Sequence, residues 1–150
     1  MKYFDLRTIF LARHAQHIVL VHFPIALLIA SVAFDLLARA TGRRSLADVG
    51  EWNLYGAAFI APLAAITGLL AWRWQLEGAR LKGALLLHLC GALVTLLFTW
   101  GLAWFRWRRK SEAGAPLPVG FHVAGLAAVL AVAVTAHLGG VVSGVVTLGG

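Results

Sequence analysis

A chain of 150 residues that is 61% hydrophobic and only 13% charged departs from a soluble domain, which sits nearer half apolar and a quarter charged. The charges are clustered: residues 14–34, 52–72 and 83–105 carry none, and none follows Glu112. A helix needs roughly 20 apolar residues to cross the hydrocarbon core, so four gaps reach spanning length and a soluble domain of useful size is excluded. The net charge of +7 does not point to nucleic acid, because the basic residues flank the apolar runs, where they meet lipid headgroups. The pattern predicts an all-α integral membrane protein, a single domain over residues 1–150 built as a four-helix transmembrane bundle.

In chain order, residues 3–13 place Phe4, Ile9 and Phe10 among charges and predict a short interfacial helix with no cleavable signal peptide. The first span is expected over about 18–39, with Pro24 near its start and Thr41-Gly42 ending it. Residues 43–51 read as a short polar loop. A second span over about 52–73 carries Trp52, Tyr55, Trp72 and Trp74 near its ends, as an aromatic belt would. The third runs over about 83–105 into the basic cluster at 105–110, and Pro116 and Pro118 break the loop that follows. The fourth is expected over about 119–138 with an apolar tail to 150, either divided at Gly139-Gly140 or continued as one tilted helix. Abundant Gly and Ala suit close helix packing, and the residues show no internal repeat.

Antiparallel connectivity has a consequence for the histidines. If the side of the first helix's start is X and the other Y, His22, His88 and His137 lie about five residues inside the X boundary of three different spans, roughly 8 Å deep at 1.5 Å per residue. An imidazole in hydrocarbon needs a partner and usually faces the bundle interior, so a shared ligand is expected. Two candidates arise, a haem with one or two axial imidazoles and a metal ion held by histidines. Gly68, Gly91, Gly125 and Ala92 offer room for a flat ring, Phe23, Trp72 and Trp74 could line it, and Arg73, Arg80 and Lys82 stand at side X for propionates. In the metal-ion alternative His14 and His17, which precede the first span on the same side, supply further ligands. The competing structural reading has each imidazole donating to a backbone carbonyl and serving packing alone. His122 begins the fourth span on side Y and reads as interfacial. Cys90 stands two residues from His88, about 200° around the helix, so the two form no dyad. No hydrolase motif or phosphate loop occurs, so no catalytic residue is assigned.

The segment HAQHIVLVHFPIALLIASVAFDLL, with His14, His17, His22, Phe23, Pro24 and Asp35 in register, resembles the HPxHPxLVHFPI…D motif of the domain of unknown function 2231 family of predicted bacterial membrane proteins. TGLLAW at 67–72 resembles the family's TGxxDW, His88 falls where its third span begins with a histidine, and HLGGVVSGV at 137–145 resembles its terminal motif. Ala15 and Ile18 replace the two prolines and Ala71 the acid. The resemblance implies a redox setting, since similar proteins are often found with c-type cytochrome domains.

Together these readings lead to an expected haem b-binding electron-transfer subunit in a respiratory or dehydrogenase assembly. It would be non-catalytic by itself, with His22 and either His88 or His137 as axial ligands. Expected partners are the lipid bilayer, other membrane subunits, quinone and a periplasmic c-type cytochrome. A cofactor-free accessory subunit and a metal-ion binding or transport protein are the alternatives. Basic residues number seven on side Y and six on side X; the denser Y clusters place Y in the cytoplasm of a bacterial inner membrane and the histidines toward the periplasm.

Overall fold

The computed structural model describes residues 13–109 and 116–144, without the side chains of residues 13–15 and 75. The segment expected as an interfacial helix (but for its last residue), the side chain of His14, residues 110–115 and the end of the apolar tail lie outside the described residues. Four helices follow one another: α1 Arg13–Thr41, α2 Arg44–Gln75, α3 Gly83–Arg108 and α4 Val119–Val142. All four are long and apolar enough to cross a membrane, as the charge gaps predict.

Two boundaries differ from expectation. Residues 44–51 are helical rather than a loop. Gly42, at φ +69°, already makes the turn, its N–H donating to Ala38 O at 2.8 Å, and no Pro or Gly interrupts the chain between Arg43 and Gly50. The polar residues there form the first two turns of α2. At the other end of the chain, α4 runs unbroken through Gly139-Gly140 to Val142.

Pro62 lies inside α2 and has no N–H to give to the carbonyl four residues back, that of Ala58. In hydrocarbon an orphaned carbonyl is costly. Trp100 of α3 supplies the missing donor, its indole N–H bonding Ala58 O at 2.9 Å. A helix defect in one hairpin is thus repaired from the other.

α1 packs along α2 and α3 along α4, and the two hairpins meet through α2–α3 and α1–α4 contacts. The core of Leu28, Leu54, Ala57, Leu102, Ala103, Phe121, Ala128 and Val132 lies mostly in the Y half. No described side chain nearer side X than Pro24, Ala64, Thr99 and Thr135 is buried. The bundle is therefore closed in its Y half and loosely packed in its X half.

A buried ion pair closes the Y half. Arg106 Nη1 donates to both carboxylate oxygens of Asp35 at 2.7 Å, and both side chains are almost fully buried. Arg106 also bonds Ala47 O and lies 3.5 Å from the Glu51 carboxylate. Its guanidinium stands 5.9 Å over the Phe121 ring. Gly50 makes room for the pair: a Cβ there would run into the Asp35 carboxylate. One arginine thus ties α3 to both helices of the first hairpin.

The hairpins also repeat each other, contrary to the reading of the residues. A shift of 71 residues carries His17 onto His88, Asp35 onto Arg106, Gly50 onto Phe121 and Gly68 onto Gly139. The same shift carries the buried Leu28, Ser31, Val32, Leu54, Ala57 and Ala64 onto the buried Thr99, Leu102, Ala103, Gly125, Ala128 and Thr135. Both hairpins start on the same side, so the relation is a parallel repeat about an axis along the membrane normal. Few residue identities survive along this register, which hides it from a reading of the sequence.

Replacing Arg106 by Leu should destabilise the bundle by about 3–5 kcal/mol, because Asp35 is left charged and unpaired, while D35L/R106L should recover much of that loss. Thermal unfolding midpoints in detergent read both. Trp100→Phe should cost about 1–3 kcal/mol through the Ala58 carbonyl it abandons; in a Pro62→Ala background that cost should largely vanish.

Candidate functional site

The line of buried residues Pro24, Leu28, Ser31 and Asp35 marks the inward face of α1. One helix turn is 3.6 residues, about 100° each. His17, seven residues before Pro24, continues that line. His22, two residues before Pro24, points about 160° away from it and is exposed. His22 donates from Nδ1 to Ile18 O of its own helix. On α4, His137 stands two residues from both the buried Thr135 and the packed Gly139, on the far side of the helix, and is exposed. His88 is seven residues from Thr95 and eleven from the buried Thr99, on the inward face of α3.

The three histidines expected to converge lie on different faces: His22 and His137 are exposed and His88 is half-buried. Only His88 of the three faces the interior, and its companion at the same end is His17. Depth along each helix placed all four histidines near side X, but azimuth separates them. Among the described residues, no three His, Cys, Asp or Glu side chains come together as a metal-binding group.

His17 and His88 have matching surroundings. The His17 ring lies over Gly68 of α2, where a Cβ would come within 2.9 Å of its Cε1. The His88 ring lies over Gly139 of α4, where a Cβ would come within 3.0 Å of its Cε1. His88 Nδ1 donates to Thr135 O at 2.9 Å. His17 Nδ1 is 3.2 Å from Thr67 Oγ1, and the Thr67 hydroxyl spends its one proton on Ala64 O at 2.9 Å. Thr67 is thus the acceptor and His17 the donor. In the neutral state both rings carry their proton on Nδ1, which leaves the Nε2 lone pair as the basic nitrogen. His22 and His122, which also use Nδ1 on a carbonyl, share that tautomer, so the inward face distinguishes the pair.

The glycines expected to leave space for a flat ring are already covered. His17 occupies Gly68, Thr135 packs on Gly91, and Val32 on Gly125. Arg73 and Arg80 are exposed at side X, in place for an anionic group. Cys90 is exposed and lies on another face from His88. Two apolar grooves, of about 710 Å³ beside Trp100, Trp104 and Trp107 and about 600 Å³ beside Phe98, Phe105 and Phe121, lie mainly toward side Y, away from the histidines.

His122 also departs from expectation. It is buried rather than interfacial, donates to Pro118 O at 3.1 Å and lies close enough to the Asp35–Arg106 pair to interact with its charge. That pair escaped notice because Arg106 was taken as a loop cation just past the third span. An intramembrane carboxylate demands a partner, and Arg106 is the first base after the apolar run ending at the same level, which is the signal that identifies it.

Thr67 and Gly68, which begin the TGLLAW stretch, receive His17 of the N-terminal motif, while Gly139 of HLGG receives His88. A family model described as predicted membrane protein (DUF2231) matches residues 13–149. The chain belongs to this family. No curated protein and no solved structure matches it. In this DUF2231 protein, positions far apart along the chain meet inside each hairpin, His17 with residues 67–68 in the first and His88 with Gly139 in the second.

Gly139→Leu should push His88 off Thr135 O and cost about 1–3 kcal/mol by overpacking, read as a fall in the thermal midpoint. Gly101→Ala, where a Cβ would meet nothing within 4 Å, should leave the midpoint unchanged.

Proposed function

We propose that this DUF2231 protein is a membrane-embedded haem b-binding electron-transfer subunit of a larger respiratory or dehydrogenase assembly. The observation that supports the reading is His88: an inward-facing imidazole inside a transmembrane helix, oriented through Nδ1 by Thr135 O and set against Gly139. A ligating histidine is set in this way by a hydrogen-bond acceptor on the nitrogen that does not bind the metal. When bound, the haem supplies one-electron chemistry at an iron whose potential its axial ligands and burial tune. The chain's own contribution is to ligate, to exclude water and to neutralise propionates with Arg73 and Arg80. Because glycines 68, 91 and 125 are covered by side chains of adjacent helices, the group would sit between the hairpins in the X half, where packing is loosest.

Electrons would pass between quinone in the bilayer and a c-type cytochrome at side X. Arg106 is consumed by the ion pair with Asp35, so it leaves the count of orienting charges. Arg39, Arg43, Arg44, Arg108 and Arg109 still form the dense clusters on side Y. They favour Y as the cytoplasmic side of a bacterial inner membrane.

A second reading, a cofactor-free accessory subunit, draws support from the carbonyl partners of His22 and His88, which would let both imidazoles serve packing alone. A reduced-minus-oxidised absorption spectrum of the purified protein separates the two. Bands of a low-spin b-type haem are expected; a spectrum without haem bands, after growth with added haem precursor, rejects the redox subunit in favour of the accessory one.

A further inference from the structure

We infer that His17 and His88 are a matched ligand pair that holds one metal centre between the two hairpins, on the pseudo-two-fold axis. As an assignment of the haem ligands this rests on the reading above, but the pair itself is carried by the repeat. The 71-residue shift that aligns the buried positions of the two hairpins sends His17 to His88 and the glycine under one ring to the glycine under the other. Each ring approaches its glycine through Cε1, and each Nδ1 proton is given to an acceptor contributed by the partner helix of its own hairpin. With Nδ1 committed on both, two imidazoles on inward faces of the diagonal helices α1 and α3 would offer a metal between the hairpins the same nitrogen, Nε2.

The other end of the same helices shows that this register does bring equivalent positions together. Asp35 and Arg106 are also related by the shift, and they bond directly. Both lie 18 residues from the histidine of their own helix, about 27 Å at 1.5 Å per residue. At the Y end the diagonal is bridged by a long arginine. At the X end the equivalent side chains are two short imidazoles, and a metal bound by both bridges the gap in the same manner. A bis-imidazole iron needs only these two protein ligands, which suits a site where no third His, Cys, Asp or Glu gathers among the described residues. His22 and His137 turn to the outer surface of α1 and α4 and are not part of the pair.

The test uses the full chain in detergent with four single substitutions, H17A, H88A, H22A and H137A. Haem content and the low-spin bis-imidazole electron paramagnetic resonance signal should be lost in H17A and H88A and retained in H22A and H137A. Since either pair member also zips its hairpin, H17M and H88M serve as filled, ligand-competent replacements; they should keep haem but convert the signal to imidazole–thioether. Loss in H22A or H137A, or retention of the bis-imidazole signal in H17A or H88A, overturns the pair while leaving a haem protein. If the wild type carries no haem, the redox reading fails by itself, and the pair is judged with Cu(II) alone. One Cu(II) per chain with two equivalent nitrogen ligands, lost in both H17A and H88A, upholds it. No Cu(II) binding, or binding that survives either substitution, overturns it.

Discussion

The Asp35–Arg106 ion pair governs how this bundle is put together. A charge inside hydrocarbon is tolerated only when paired and hydrogen-bonded, and here every requirement is met by groups from different helices: both carboxylate oxygens from α1, a carbonyl of residue 47 and the Glu51 carboxylate from α2, and the guanidinium from α3. Gly50 can be nothing larger because the carboxylate lies against it. The pair therefore fixes the rotation of α1 and α3 about their axes, and with it the faces on which all residues further along those helices lie. His17 and His88 point inward because they stand 18 residues, five turns at 3.6 residues per turn, from Asp35 and Arg106.

Side-chain hydroxyls and indoles complete what the apolar core cannot. Thr99 and Thr135 bond carbonyls one turn back in their own helices, and Trp100 covers the carbonyl freed by Pro62. With no hydrophobic gain from helix association in lipid, these polar contacts and the close approach at glycines 50, 68, 91, 125 and 139 carry the specificity of packing. The contrast between halves follows: large buried side chains accumulate around the ion pair, and the opposite half is held mainly by the two imidazoles on their glycines.

Much of this was legible in the residues. Charge-free gaps gave four spans, and Thr41-Gly42 gave the first turn, since a glycine at positive φ ends a helix for a reason that needs no tertiary context. The inward-facing pair was less accessible. Depth can be read by counting from a boundary, but azimuth needs a reference face, and an apolar helix in lipid is hydrophobic all round, so no polar stripe supplies one. His22 and His137 share the depth of His88 but not its face. The repeat was hidden for a related reason: it conserves positions rather than residues, with aspartate answering arginine and leucine answering threonine. His122 and Arg106 were assigned to the interface because they stand at the ends of charge-free runs, where position along the chain does not show that both side chains are buried against neighbouring helices.

That aspartate answers arginine has one more consequence. A symmetric dimer of the first hairpin would bring Asp35 against Asp35, and one of the second would bring Arg106 against Arg106, each with like charges buried in lipid. Only the mixed pairing neutralises the axis. The two halves are thus cognate and self-avoiding: supplied as separate polypeptides, each would select the other and reject its own copies, and the covalent loop between them adds proximity to a choice of partner that the charges have already made.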